Sequence, residues 1–471
     1  MGAFFQIGET KIRPGSYIRY ENRGGSPEAA IQRGIGAAVF KADWGPLGVV
    51  MDIQTGEVEK TYGTALTTHV IDDLFAGGIS RCKAVRLGTG GTKGSLVLKD
   101  SAAADVVTIT AKYAGAKPLT LTIRDSLTDT TKRECIVYDG TAEKQRFTFA
   151  KGGTGEVDAL VAEVAKGSDW ITASKTAAGS GLLASITQQP LAGGANPVIT
   201  NTDYSNAFSL LESQYWNGLV VDTNDVTVHA LLQGYIDRIL NDGKLTLAFV
   251  GEPTSVPFAE RKTHAAAFND FCMHYVLNGF QDAAGNKYEG YRAAARVAGM
   301  VLYSAANESM THAVVKGATA LVETLTNPQI EQAIQSGAMV FTTNSDGQVQ
   351  IEYAINTLVS LSSTQDAGWK KIRRVKTRFE LMERITAAWD KLVGKVNNDK
   401  DGRATLIGAA QGIINKMAKE GKLLDGGLIT EDADNPAQGD SAWFTMAVDD
   451  LDSAEKLYLA CGFEYAPQTT A

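Results

Sequence analysis

Three loops are where the residue types and spacing of this chain could do chemistry, and two of them are rich in glycine. Residues 88–95 (GTGGTKGS) follow an expected strand, and residues 151–156 (KGGTGE) lie between an expected strand and an expected helix, so each invites a phosphate-cradling reading. Such a cradle needs a helix N-terminus directly behind it, because that is where free N–H groups and the positive end of the helix dipole lie. The first loop runs instead into another strand and lacks GxxxxGK spacing. The second is better placed, yet neither a Walker lysine nor a distant ribose-binding acid follows it at suitable spacing. The third loop, residues 397–402, imitates a calcium loop: with Gly402 at the sixth position, Asn397, Asp399 and Asp401 fall on ligand positions. The twelfth position is then Gly408, where a bidentate glutamate is required, so a helix-connecting turn with an Asx cap is expected.

The remaining polar chemistry is scattered. The five histidines, His69, His229, His264, His274 and His312, form neither HExxH nor a His–Cys cluster. His264 and His274 are expected on nearly opposite faces of one helix. No GxSxG elbow occurs, and no pair of carboxylates is singled out for acid–base work. The sequence therefore predicts no catalytic residue, no cofactor site and no metal site. One electrostatic feature stands out. Lys370, Lys371, Arg373, Arg374, Lys376 and Arg378 put six positive charges into nine residues of an acidic protein. This run is either a solvated face or a docking strip for an acidic partner. Nucleic acid is disfavoured, since no aromatic interleaving accompanies it and the chain carries a net charge of −8.

The elements that must position these residues belong to a chain long enough, at 471 residues, for two to four domains. An apolar content of 44% and a charged content of 21% are ordinary for a globular protein. No apolar run reaches the ~18 residues of a bilayer span, so no membrane insertion is expected. The N-terminus lacks a signal-peptide pattern, and Gln6 stands where a myristoylation site wants Ser or Thr. Cys82, Cys135, Cys272 and Cys461 are far apart without a CxxC pair, which suits packed thiols in a reducing compartment. A soluble cytoplasmic product is the expectation.

Periodicity predicts an α+β multidomain chain. Residues 1–22 read as an extended arm in which Ile12, Tyr17, Ile18 and Tyr20 favour strand. Residues 23–94 alternate strand and helix, with a helix expected over 65–74. Residues 95–197 hold five short β-prone runs at about ten-residue intervals, the rhythm of a small inserted sandwich or barrel, and one helix over 157–166. Alternation resumes over 198–350: a helix over 204–215 capped by Asp203 with Leu210 and Leu211 buried, then helices over 226–240 and 258–277 with strands at 219–221 and 245–250. Residues 351–440 form a last α/β unit, with helices over 369–396 and 404–419. The first seven residues of 369–396 could equally be a strand. Residues 441–471 read as a second extended arm.

Taken in order, six segments resemble the tail sheath proteins of contractile phages and phage-derived particles of Gram-positive hosts. They are KIRPGSYIRYEN (11–22), PLAGGANP with TNTDYSNAFSLLE (190–212), AARVAG (294–299), INTL (355–358), WKKIRRV with GKVNNDKDGR (369–403), and LDSAEKLYLACGF (451–463). Their shared order across nearly the whole chain carries the match. The resemblance implies a structural protein, not an enzyme, that stacks as sixfold rings in a helical tube around a tail tube, meets baseplate and tail terminator proteins, and contracts. It implies assembly in the host cytoplasm and a place in the virion tail or in a headless, bacteriocin-like particle. It also implies terminal arms that donate strands to neighbouring subunits, here carried by Ile12, Tyr17, Ile18, Tyr20, Phe444, Met446, Val448, Leu457, Tyr458 and Leu459. The C-terminal unit would face the tube, which makes Lys370–Arg378 an expected tube contact. A different phage structural component, or an enzyme on the central α/β part, are the rival readings.

Overall fold

The computed structural model describes residues 34–463 apart from 65, 153, 154, 180 and 181, together with two short strands, β1 (Ala3–Phe4) and β2 (Tyr17–Ile18). These two pair in parallel, Ala3 beside Tyr17 and Phe4 beside Ile18, within a separate unit of residues 1–32. Ile12 and Tyr20 lie outside the described residues.

From Gly34 on, the sequence reads IGAAVF, a run with no polar side chain that is stable as a strand only if both faces are covered. It forms β3 (Ile35–Phe40), buried throughout. After it come β4 (Val50–Gln54), α1 (Val58–Tyr62), α2 (His69–Gly77) and β5 (Arg81–Arg86). The same sheet is completed after the insert by β13 (Gly218–Val221), β14 (Leu247–Gly251), β15 (Met273–Val276) and β19 (Ala338–Met339), in the order β19-β15-β14-β13-β3-β5-β4. Every neighbouring pair is parallel except β4 with β5. The step from β3 to β5 runs one way along the sheet and the step from β13 to β14 runs the other. Right-handed crossovers therefore place α2 and α5 (Val226–Asn241) on opposite faces. α7 (Tyr291–Tyr303) joins α2, and the two approach so closely at Gly77 and Gly299 that a Cβ on Gly299 would sit 2.2 Å from the Leu74 carbonyl oxygen.

The insert is a sandwich. β6 (Ser95–Lys99), β7 (Asp105–Ala111) and β11 (Ile171–Lys175) make one antiparallel sheet. β8 (Leu119–Asp125), β9 (Lys132–Asp139), β10 (Ala142–Ala150) and β12 (Ile186–Pro190) make the other. α3 (Glu156–Ala165) buries Val157, Leu160 and Val164 against them. Trp44, from the α/β part, is buried in this second core, stacked on Trp170 at 5.2 Å and edge-on to Tyr113. The loop that carries it is fastened by the buried Arg86, which donates to the carbonyls of Ala42 and Gly45.

Around the main sheet stand α4 (Asn201–Leu211), α6 (Phe258–Phe268), α8 (Asn327–Gln335) and two small sheets. The small sheets are built from β16 (Phe280–Asp282), β17 (Lys287–Tyr288) and β18 (Ala318–Leu321), and from β20 (Phe341–Thr343) and β21 (Val349–Ile351). The last unit comprises α9 (Ile372–Trp389), α10 (Lys400–Lys419), β22 (Leu428–Glu431) and β23 (Phe444–Ala447). α9 spans two cores: Ile372, Val375 and Phe379 pack on the α/β core, whereas Leu381 and Ile385 pack with Ile413, Ile414 and Met417 of α10.

The mixed α/β multidomain architecture is the one expected from the sequence, with local corrections. The helix expected over 258–277 ends at Phe268, because Asn269 turns into the left-handed region, and β15 follows. His274 is thus on a buried strand, not on a helix with His264. The cap of α4 is Thr200, with Asp203 at the third helical position closing a capping box, and Leu210 is exposed beside the buried Leu211. β11 and β12 follow the helix of the insert and add two strands to the five β-prone runs expected there. α9 starts as a helix at Ile372 behind a 3-10 turn over Ala367–Lys370, which removes the strand alternative, and α10 starts four residues earlier than expected.

Candidate subunit-contact surfaces

The six clustered cations divide over two faces of α9 and its first turn, and each has partners within the chain. Lys371, Arg374 and Arg378 are spaced three and four residues apart, so they share one face. Lys371 Nζ lies 2.7 Å from Asp452 and 2.9 Å from Glu455. Arg374 holds Asp450 through two parallel bonds of 2.6 and 2.8 Å. Arg378 meets the same carboxylate at 2.9 Å and Asp366 at 2.8 Å, with its guanidinium over the Trp369 ring. On the other face, Arg373 donates to the Asn307 carbonyl at 2.7 Å, and Lys376 caps the end of α7 through Val301 and Ser304. A cation there complements the negative end of the helix dipole. Lys370 donates to the Val359 carbonyl at 2.7 Å.

Glu455 also accepts bonds from the hydroxyls of Ser309 (2.6 Å) and Thr311 (3.0 Å). Burial works to raise the Asp450 carboxyl, but hydrogen bonds from Arg374 and Arg378 outweigh it and hold the group below the usual carboxylate range. The same contest at Glu455 is won by Ser309, Lys371 and Ser453. The acidic partners Asp450, Asp452 and Glu455, with Ser309 and Thr311, are the residues that sequence reasoning missed. A signal was present: residues 449–455 carry four acids in seven positions, a complement in charge to the basic run.

The proposed arm residues fall in three environments. Tyr17 and Ile18 form β2. Phe444 and Met446 belong to β23, which pairs antiparallel with β22 in the same chain (Leu428 opposite Ala447, Glu431 opposite Phe444). With Val448, they pack on the α9–α10 core, Phe444 lying 5.2 Å from the Trp389 ring. Leu457, Tyr458 and Leu459 have no regular structure and are 83%, 91% and 87% exposed; Phe463 is 96% exposed. The β22–β23 ribbon has only two strands; the outward Ile429 amide of β22 is taken by the Gln411 side chain at 3.2 Å, whereas among the described residues β23 keeps an outer edge of unpaired backbone groups.

The loops that imitated chemistry have local structural partners. Asp399 caps α10 by accepting the Gly402 amide at 2.8 Å, which is the Asx cap expected from the sequence. Lys151 pairs with Asp125 at 2.7 Å, and Glu156 is buried against Arg133 while accepting the Leu183 amide. His264 bonds Glu252 at 2.7 Å, a carboxylate shared with the Tyr275 hydroxyl; His229 bonds the Thr223 carbonyl. Among the described residues, no group of three or more His, Cys, Asp or Glu side chains could hold a metal ion, and no helix is long and apolar enough to cross a membrane.

Comparison with known proteins places this architecture. Residues 89–196 match the phage tail sheath protein beta-sandwich domain, and residues 198–357 match the phage tail sheath protein central domain. An uncharacterised Bacillus subtilis protein, YqbK, is 23% identical over 408 residues, covering 83% of each chain. The crystal structure of a sheath tail protein from Desulfitobacterium hafniense superposes with a TM-score of 0.71 at 22% identity, covering 93% of this chain and 100% of that one. The helical sheath of the anti-feeding prophage in its contracted state gives a TM-score of 0.52 at 11% identity, over 97% of this chain and 100% of that one. The two matched domains follow one another over more than half of the sequence: the chain belongs to the phage tail sheath protein family, a family of structural proteins and not of enzymes.

Proposed function

We propose that this chain is the repeating subunit of a contractile tail sheath. It polymerises as sixfold rings in a helix around a tail tube and contracts to drive the tube through a bacterial envelope. The reading places it in the tail of a virion or phage-like particle, assembled in the host cytoplasm, in contact with tube, baseplate and tail terminator proteins. One observation carries the lattice part: beyond Glu455, Leu457, Tyr458, Leu459 and Phe463 are almost wholly exposed. Large apolar side chains exposed together in an extended segment mark a contact surface. The open edge of β23 is where a neighbour's arm can add a strand, supplying backbone hydrogen bonds with few side-chain demands. Subunits tied in this way can rotate and slide while staying linked.

The expectation that Lys370–Arg378 touches an acidic tube is carried forward in a narrower form. A tube contact at Lys371, Arg374 or Arg378 competes with Asp450, Asp452 and Glu455. Contraction is a two-state rearrangement whose energy is stored at assembly; a bias of ~5.5 kcal/mol inverts a 1:99 population, so nucleotide is not required. Negative-stain microscopy of the purified protein tests the proposal, beside variants lacking residues 1–22 or 457–471. Tubes or stacked rings that disappear with either deletion support a strand-linked sheath. Tubes that survive both deletions refute the arm reading, and contraction that needs added ATP refutes stored energy.

A further inference from the structure

Backbone hydrogen bonding at the C-terminal end stops short of the exposed segment. The Leu424 amide bonds the Asp449 carbonyl, and the Leu451 amide bonds the Lys422 carbonyl at 3.1 Å. No backbone bond of this kind is seen beyond Leu451 among the described residues. Residues 452–455 stay on the body through side chains alone: Asp452 and Glu455 on Lys371, and Glu455 on the Ser309 and Thr311 hydroxyls. Lys456 stands over the Tyr353 ring at 6.0 Å, and after it the side chains are exposed.

We infer that Lys371, Arg374 and Arg378, closed by Ser309 and Thr311, form a seat for an acidic extended segment, filled here by the chain's own residues 449–455, and that this seat sets where the C-terminal arm becomes free. The fit is chemical as well as steric. Arg374 offers its planar fork to Asp450, a match in geometry that a lysine would not give. Lys371, a point charge, bridges two carboxylates lying three residues apart in the segment. The two halves of the seat differ in strength. Asp450 is nearly buried and backed by the backbone ties at 449 and 451, whereas in the other half Lys371 and Asp452 are reached by solvent and the hold is made by charge and the two hydroxyl bonds to Glu455, with no backbone tie. The Lys371 half opens without unfolding any element, and opening it moves the free point from Glu455 back to Leu451. Four further residues of extended chain add about 13 Å of reach. In a lattice, which rests on the arm reading above, that slack lets a subunit shift against its neighbour while strand pairing persists.

Trypsin cleavage after Lys456 in the native full-length protein reads the seat directly, because a protease needs several residues on both sides of the bond released from the body. Rates are divided by those of matching free peptides spanning 449–463. Lys371→Gln, which leaves the substrate sequence unchanged, and Glu455→Gln, which leaves the helix unchanged, are each expected to speed the normalised cleavage about tenfold, the equivalent of one or two partly buried ion pairs. Raising salt from 0.15 to 1 M shortens the Debye length from about 8 to about 3 Å, so it speeds the wild type and leaves Lys371→Gln nearly unchanged. Equal normalised rates for wild type and both variants, or a wild type indifferent to salt, overturn the seat. The measurement is made on unassembled subunits, so the survival of tubes after arm deletion, which sinks the arm reading, leaves this result standing.

Discussion

Replacing Asp270 by asparagine should stabilise the protein above neutral pH, with a gain that shrinks as pH falls and closes below about pH 4. Asp270 is 8% exposed in the turn before β15, where its Oδ1 accepts the Cys272 amide at 2.8 Å and its Oδ2 is buried without a donor. Burial is the main cause that pushes its carboxyl up to about 7; the Cys272 amide works against this, and the charge of Asp237 on α5, within hydrogen-bonding reach, adds to it. A carboxyl raised on folding takes up a proton that the unfolded chain releases near pH 3.8. Stability from this group is therefore full below that pH, falls as pH rises toward 7, and is flat above. At about 1.36 kcal/mol per pH decade the ceiling on the cost at pH 8 is about 4 kcal/mol. Water reaching the pair from the exposed Asp237 side brings the expectation nearer 2 kcal/mol. Asparagine keeps an oxygen for the Cys272 amide and offers Asp237 a donor. Calorimetric melting should show Asp270→Asn about 4 °C higher than wild type at pH 8 and coincident with it near pH 3.5. A variant that melts lower at pH 8, or is shifted equally at both pH values, refutes the reasoning.

His274 carries the opposite sign. Stacked on Phe249 and wholly buried, it is pushed down to about 4 by burial, so the unfolded chain binds its proton first and stability is lost as pH falls from about 6.5 toward 4; His274→Gln should flatten that limb of a melting-temperature profile. Glu156→Ala strands the buried Arg133 and leaves the Leu183 amide unmatched, which should cost the sandwich about 3 kcal/mol even though Asp125 remains near the guanidinium; urea unfolding followed at Trp170 reads it. Gly299→Ala forces α2 and α7 apart against Leu74 and Gly77, a loss of about 3 kcal/mol visible as a lowered melting point.

How much was legible in the sequence varies with how local the cause is. The sandwich strands were readable because β-prone runs and turn residues alternate within ten residues, and β3, β13 and β14 because uninterrupted apolar runs have few other homes. The end of α6 was not, because helical spacing continues from Phe258 past Phe268 and only the left-handed Asn269 breaks it. Asparagine tolerates that conformation without announcing it. The capping box at Thr200 was misassigned by three residues, since Thr and Asp are both good caps and only the geometry says which one starts the helix. In the tail, residues 441–471 read as an extended arm meant for a neighbouring subunit, whereas β23 within it pairs with β22 of its own chain. Whether a strand pairs at home with Leu428–Glu431 or with another copy is a matter of which edge lies near, not of composition.

The basic run shows the same gap in electrostatic form. Like charges three and four residues apart on one helix face repel by a few tenths of a kcal/mol per pair, so the spacing of Lys371, Arg374 and Arg378 by itself calls for an acidic partner. Within the helix's own neighbourhood Asp366 answers only Arg378. The principal partner of Arg374, Asp450, lies 76 residues away, beyond α10 and the ribbon, where no local pattern can point to it. The sequence could state the need for acid but not whether it is met in the same chain or by a tube. That distinction governs function. A tube surface that binds this strip must first displace carboxylates held at 2.6 to 2.9 Å, and displacing those on Lys371 frees the root of the C-terminal arm. In the proposed sheath, tube binding at the strip and the hold on the arm make opposite claims on the same three cations, and by linkage whatever strengthens tube binding weakens the hold of Asp452 and Glu455 by an equal free energy.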